Sequence, residues 1–488
     1  MPIIQPPPFD VLAILPIIVI SVTAMVVLIV GLFVPREQGG TLGAIGLTGV
    51  GVATIAAVSL WGQDRTAFSG AIAADGFFVF FAVVSLAIVA LTIILSAEFV
   101  TREGFSAAEY YSLILFAGSG MLILVASRDL IVLLIGLEIL SMSLYILAGF
   151  AREKLTSEEA AIKYFLLGSF SLALLVYGSA LMYGATGSTQ FGAIAESLKQ
   201  PELLSNPLLL VASALILVGF AFKLSFVPFH MWTPDVYEGA PTSVTAFMAV
   251  GTKAAVFAGL LRILTEALPA VRTEWSIVLW ALAILTMILG NVAAIVQTNV
   301  KRMLAYSSVA QAGYMLVAVV ASGVGASIGL GKDALMFYVA AYAVMNLGAF
   351  AVIQVLSGKQ DDTTNLSSFN GLATRSPMLA AAMAVFLLSL AGIPPTGGFM
   401  AKLYVFSAAV QSGYSELAIV GVLTSAVATF YYLKLIVAMY MRPSDDGAVA
   451  VRIPASLGLV LAVAVLLTIQ MGVLPSFPLS LAAATVPQ

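Results

Sequence analysis

Cysteine is absent, histidine occurs once and charge is scarce in this sequence of 488 residues. Without cysteine there are no disulfides, thiolate zinc sites or cysteine-held iron–sulfur clusters. A single histidine excludes a bis-histidine haem. Charged residues make up 9% of the chain, where soluble domains carry ~25%, so too little polar surface exists to cover a water-exposed body. The net charge is −3 and the basic residues are scattered, which leaves no nucleic-acid footprint. The Gly-rich stretch GVGASIGLGKDA departs from a phosphate loop at Ala326 and Asp333. What the chain does have is apolar side chains, 61% of the total. The bilayer is therefore its solvent, and at ~20 residues per crossing the apolar content suffices for about fourteen helices.

Apolar runs bounded by Gly, Pro or charge fall at 9–33, 41–61, 73–95, 109–126, 129–150, 161–184 and 208–230. A second set falls at 242–265, 275–297, 303–322, 333–356, 378–410, 415–439 and 453–474. MPIIQPPPFD has no basic n-region, so the first run reads as a retained helix and not a signal peptide. Cytoplasmic loops retain positive charge. Ten basic residues follow odd-numbered runs (Arg36, Arg102, Arg152, Lys154, Lys301, Arg302, Lys359, Arg375, Arg442, Arg452) and five follow even-numbered ones (Arg65, Arg128, Lys199, Arg272, Lys332). This bias predicts both termini outside, with the long polar connection from Lys359 to Pro377 in the cytoplasm.

Six basic residues fall within or at the ends of the runs: Lys163, Lys223, Lys253, Arg262, Lys402 and Lys434. A lysine at the bilayer centre costs at least ~2.5–3.5 kcal/mol on insertion scales, so Lys223, Lys253 and Lys402 read as functional, with snorkelling to an interface or capping of a helix end as their structural alternative. Arg262 and Lys163 are expected to snorkel to an interface or cap helix ends, and Lys434 reads either way. Glu138 has no charge within eight residues on either side. It is expected to seek a cation on another helix: pairing keeps both groups charged, and separation lets a buried lysine release its proton. A static ion pair that fixes helix register is the structural alternative.

Pro228, in GFAFKLSFVPFHMW, and Pro394-Pro395, in LAGIPPTGGFMAKLYVF, predict breaks in the seventh and twelfth helices. Broken helices are tolerated in lipid only where they line protein or water. Lys223 precedes the first break and Lys402 follows the second. Paired interruptions five helices apart point to two inverted repeats around a transport path. The implied division is a three-helix segment over 1–108, five-helix repeats over 109–270 (helices 4–8) and 271–440 (helices 9–13), and a last helix in 441–488. His230 is placed to relay protons between Lys223 and Lys253, because its ordinary pKa lies near neutrality; hydrogen-bonded packing is its other reading. Asp235 and Glu238, in WTPDVYEGAPT, read as solvated.

Six segments resemble the antiporter-like membrane subunits of respiratory complex I, over about 75 to 440: GLEILSMSLYILAGF, EEAAIKYFLLGSFS, AFKLSFVPFHMWTPDVYEGAPTSVTAFMAVGTKAAVF, QTNVKRMLAYSSVAQAGYML, YAVMNLGAFAVI and LAGIPPTGGFMAKLYVF. The resemblance implies a fourteen-helix proton-translocating subunit with two inverted five-helix repeats, each a half-channel, joined by a polar axis. It implies a fifth-helix glutamate at Glu138 with its seventh-helix lysine partner at Lys223, a connecting lysine at Lys253, and proton exchange with the far side at Lys402. His230, Lys163, Lys301 and Tyr306 fall on polar positions the family uses. It further implies no redox centre in this chain, with NAD(H), FMN, iron–sulfur clusters and quinone in partner subunits, and antiporter-like and small membrane subunits as neighbours in a bacterial inner membrane. The alternative is a subunit of a multisubunit sodium/proton antiporter, which shares the buried Glu–Lys logic.

Overall fold

The computed structural model describes residues 10–35, 38–323, 328–357, 364–444 and 451–476. Arg36, Lys359, Ala326, the first part of the long polar connection and both termini lie outside the described residues. Among those described, eleven helices are long and apolar enough to cross a membrane, and three shorter apolar ones accompany them. The first part of the chain runs through α1 (Leu15–Val30), α2 (Gly39–Val58), a hairpin of β1 (Arg65–Ala67) and β2 (Ile72–Ala74), and α3 (Gly76–Glu103). It continues with α4 (Ala107–Ala126), α5 (Leu130–Ala148), α6 (Leu155–Thr186), the short α7 (Phe191–Ser197) and α8 (Pro201–Leu204), and α9 (Pro207–Lys223). The middle comprises α10 (Trp232–Gly239), α11 (Thr242–Phe247), α12 (Lys253–Arg262), α13 (Arg272–Ile295), α14 (Val300–Ala321) and α15 (Ile328–Leu356). Then come α16 (Leu372–Arg375), α17 (Pro377–Ala391), α18 (Gly397–Gln411), α19 (Ser415–Met441) and α20 (Ala455–Val473).

Local chemistry sets these boundaries. Asp129 ends the interval between α4 and α5 by accepting the backbone N–H of Ile131 at 2.8 Å, so Ser127-Arg128-Asp129 does separate two helices. Those helices touch through backbone: a Cβ on Gly120 would lie 2.5 Å from the Leu140 nitrogen, and one on Gly136 would lie 2.6 Å from that of Leu124. Asp75 caps α3 in the same way, through Phe78 at 2.8 Å.

Three expectations shift. The hairpin has strands of three residues, Arg65 facing Ala74, too short to show alternation, and it takes the start of the run placed at 73–95. α6 begins at Leu155 and not at 161, because Lys163 pairs with Glu159 one turn back and with Asp235, which holds polar sequence in helix beyond the apolar stretch. α9 stops at Lys223, five residues before Pro228, and helix resumes only at Trp232.

The second break lies at 392–396, between α17 and α18. Both breaks carry a cis X–Pro bond, Val227-Pro228 and Pro394-Pro395. Gly392 caps α17 with φ +87°, and a Cβ there would press on the Lys402 side chain. A Cβ at Gly398 would stand 1.9 Å from the Ser389 carbonyl oxygen. Gly398→Ala is therefore expected to lower the amount of folded chain in membranes, at ~1–3 kcal/mol or more of overpacking, as read by detergent-solubilised yield and thermal unfolding. Alanine yield equal to the parent would show that this break can open.

Candidate functional site

The segment Thr242–Ala267, containing α12 between two π-turns (Met248–Thr252 and Ile263–Ala267), and α14 form the buried centre of the bundle. Lys253 opens α12 at 2% exposure. Its ammonium donates to the Ser308 hydroxyl on α14 at 2.6 Å. Tyr342 of α15 donates to the same Ser308 oxygen at 2.8 Å and receives the Asn346 amide at 2.9 Å.

Lys402, 5% exposed in α18, donates to the free carbonyls at the end of α17, Leu390 at 3.1 Å and Ala391 at 3.0 Å. Its ammonium lies 4.7 Å from the Tyr314 ring centre. The break at Gly392 thus supplies the lysine with the acceptors that an unbroken helix would keep for itself.

Hydrogen bonds almost join these two lysines. From Lys402 the Leu390 carbonyl also accepts the Gln311 amide at 3.1 Å, and that amide reaches the Tyr432 hydroxyl at 3.5 Å. Tyr432 pairs with Ser307, beside Ser308, and Tyr338 donates to the Gln311 side-chain oxygen. Only the step from Ser307 to Ser308 lacks a hydrogen bond. None of these intermediates was singled out in the sequence. The signal was there: Ser307, Gln311 and Tyr314 recur at i, i+4 and i+7, a polar stripe on one face of an apolar helix.

Lys223, at the end of α9 and 4% exposed, is enclosed by aromatics. Its ammonium donates to the Tyr145 hydroxyl at 3.1 Å and lies 4.9 and 5.0 Å from the ring centres of Tyr145 and Tyr164. Trp232 stacks on Tyr164 at 4.6 Å. Tyr145 has room because position 168 is glycine, where a Cβ would meet its hydroxyl at 2.1 Å.

Glu138 is half-buried, with one carboxylate oxygen enclosed and unpartnered. It makes no ion pair with Lys223. Tyr145, which does bind Lys223, follows Glu138 by seven residues, about two turns or ~10 Å along α5. His230 lies in the break after α9 with its ring 6.5 Å from that of Tyr306, a buried Nδ1 without a partner, and no hydrogen bond to Lys223 or Lys253. Tyr164, against Lys223, and Thr252, beside Lys253, carry buried hydroxyls without a partner.

The remaining candidates divide. Lys301 is fully buried and donates to the Ala240 carbonyl at 2.6 Å. Lys434 reaches the carbonyls at the end of α13, Ile295 at 3.4 Å and Gln297 at 3.3 Å, which is a helix cap. Lys163 belongs to an ion-pair cluster around Asp235, whose oxygens take Lys163 and Arg302 at 2.7 Å each, while Arg302 also holds Glu238 at 2.9 Å. Burial pushes the Asp235 carboxyl up, and the two cations outweigh it and leave it below the ordinary carboxylate value. Asp235 and Glu238 are thus paired, not merely solvated.

Arg262 corrects another expectation. It does not snorkel: at 2% exposure it binds Asp75 at 2.6 Å, Glu266 at 2.9 Å and the Val125 carbonyl at 2.8 Å. Hydropathy cannot see this, because its partners lie 187 and four residues away. Burial would raise the Asp75 carboxyl, but Arg262 overrides it and holds it down at about 2. A value below the ordinary 3.8 means that the pair's stabilisation is complete above pH ~4 and is lost as pH falls through ~2.

The model of the transmembrane family "NADH:quinone oxidoreductase/Mrp antiporter" matches residues 127–428. NADH-quinone oxidoreductase subunit N of Trichlorobacter lovleyi is 45% identical over 469 residues, covering 96% of this chain and 95% of the relative. A chain of respiratory complex I from Thermus thermophilus superposes with a TM-score of 0.81 at 36% identity, covering 96% of this chain and 99% of its own. A chain of the Mrp complex from Dietzia sp. DQ12-45-1b reaches 0.83 at 20% identity, covering 98% and 97%, a likeness of fold alone.

Proposed function

This chain belongs to the NADH:quinone oxidoreductase/Mrp antiporter family of transmembrane subunits, and from that premise we propose that it is the proton-translocating membrane subunit of an NADH:quinone oxidoreductase. The enzyme's redox chemistry, with NAD(H), FMN, iron–sulfur clusters and quinone, takes place in partner subunits. The observation that carries the reading is the buried polar path from Lys253 to Lys402. Lysine is the side chain suited to such a path, because its amine takes up and releases a proton when its surroundings change. Glu138 and Lys223 act as the uptake pair, Lys253 receives from Lys223, and Lys402 delivers to the far side. His230, Lys301 and Tyr306 support transfer, and Lys163 sets the charge near the uptake pair.

Fourteen crossings, with both termini outside a bacterial inner membrane, fit the basic-residue bias. The two breaks and their lysines support inverted repeats over 109–270 and 271–440. Antiporter-like and small membrane subunits are the neighbours. A sodium/proton antiporter is the weaker reading, since the likeness to the Mrp chain is one of fold.

Glu138→Gln is expected to leave assembly intact and lower proton pumping about tenfold or more, the low end of what a positioned proton-transfer group contributes being higher still. Inverted vesicles energised with NADH report it through a pH-sensitive dye. Pumping at the parent rate in a fully assembled variant would remove Glu138 from the path. Lys223→Arg is expected to fail to restore function, because a guanidinium does not deprotonate in proteins; full activity there would make Lys223 a fixed charge.

A further inference from the structure

On one face of the bundle the end of α3, the end of α15 and the start of α20 leave a cavity of about 450 Å³. Four of its lining side chains are Glu98, Arg102, Gln354 and Arg452. Arg102 is already oriented. One guanidinium nitrogen donates to the Ser357 carbonyl at 2.9 Å, another meets Glu103 at 3.2 Å, and its carbon lies 6.0 Å from the Phe99 ring centre. Its third nitrogen, Nη2, is buried without a partner. Gln354 is 2% exposed, and its side-chain oxygen is likewise buried without a partner. Buried donors and acceptors are normally satisfied, and each orphan asks for a ligand, water or ion. Here one orphan is a cationic donor and the other an acceptor, and the exposed Arg452 and Glu98 repeat the same two polarities on the rim.

The ligand that matches has a phosphate and an ammonium a few bonds apart. The cavity lies at the ends of membrane-crossing helices, where basic pockets take phospholipid headgroups. α20, whose start lines the cavity, presents Leu459, Leu466 and Val473, all exposed and seven residues apart on one stripe, a track for an acyl chain. We propose that this cavity binds the phosphoethanolamine headgroup of a membrane phospholipid, with Arg102 and Arg452 on the phosphate, Glu98 and the Gln354 oxygen on the ammonium, and an acyl chain along α20. The site depends on the chain being embedded in a membrane and not on its proton chemistry.

The test uses the complete enzyme, purified and washed through graded detergent, with retained phospholipid counted by mass spectrometry and NADH oxidation recorded alongside. The parent is expected to retain phosphatidylethanolamine in preference to phosphatidylglycerol. Arg452→Gln is expected to lose it by about tenfold or more, the loss of one charge-assisted hydrogen bond, with NADH oxidation unchanged. Glu98→Gln is expected to keep a phospholipid and lose the preference. Both residues are exposed, so these variants report even where Arg102→Met fails to assemble. Added short-chain phosphatidylethanolamine is expected to raise the unfolding temperature of the stripped parent enzyme, and inorganic phosphate is not. Equal retention by parent and Arg452→Gln would overturn the proposal, and so would equal stabilisation by inorganic phosphate, which would make the site one for a free anion.

Discussion

Lys253→Met is expected to lower proton translocation by the assembled enzyme about a hundredfold, the scale set by removing a positioned proton-transfer group. Methionine keeps the length and apolar stem of lysine and removes only the titrating amine, so the buried bundle around α12 loses no volume. The ammonium of Lys253 meets Ser308, which also receives Tyr342 and neighbours Ser307, the next polar group toward Lys402. Losing the amine thus cuts the path at its centre. Ser308→Ala removes one hydrogen bond and leaves the lysine, and is expected to cost ~1 kcal/mol, about fivefold in rate. Proton uptake by proteoliposomes, normalised to enzyme content, distinguishes the two. Similar losses in both variants would mean that the hydroxyl, and not the amine, limits transfer.

Arg262→Met is expected to destabilise the chain by ~3–5 kcal/mol, the penalty for removing one partner from a buried ion pair. The guanidinium joins Asp75 at the start of α3, Glu266 on the following π-turn and the Val125 carbonyl near the end of α4, so one side chain fixes three elements. The double variant Arg262→Met with Asp75→Asn is expected to recover part of the loss, because the single variant leaves the Asp75 carboxylate with only Arg128, at 3.2 Å, as its ion-pair partner. The recovery is incomplete, since Asp75 also caps α3 through Phe78. The amount of chain in membranes and its thermal unfolding measure both. A double variant as unstable as the single one would show that Asp75 contributes to folding only as a cap.

Much of this architecture was legible because the constraints that shape it are local. Apolar runs mark helices, and Pro228 and Pro394-Pro395 mark interruptions whatever the rest of the chain does. The lysines stand out because burying a charge in a bilayer is costly. What stayed hidden depends on partners distant in sequence. Arg262 reads as free to reach an interface because its partner Asp75 lies 187 residues away in sequence. The path between Lys253 and Lys402 is made of serine, glutamine and tyrosine, which carry no insertion penalty large enough to be noticed. The contact between Lys223 and Tyr145 requires the space left by Gly168 on α6, which no pattern within α5 or α9 reveals.

Protons are proposed to cross this chain on its buried lysines. The most direct test reconstitutes the assembled enzyme with Lys402→Met in proteoliposomes and measures protons translocated against NADH oxidised. Lys402 spans the second break and has no carboxylate partner among the described residues, so methionine removes a titrating group and no ion pair. The expected result is an enzyme with full subunit and cofactor content whose proton translocation collapses. Proton translocation at the parent ratio to NADH oxidised would contradict it.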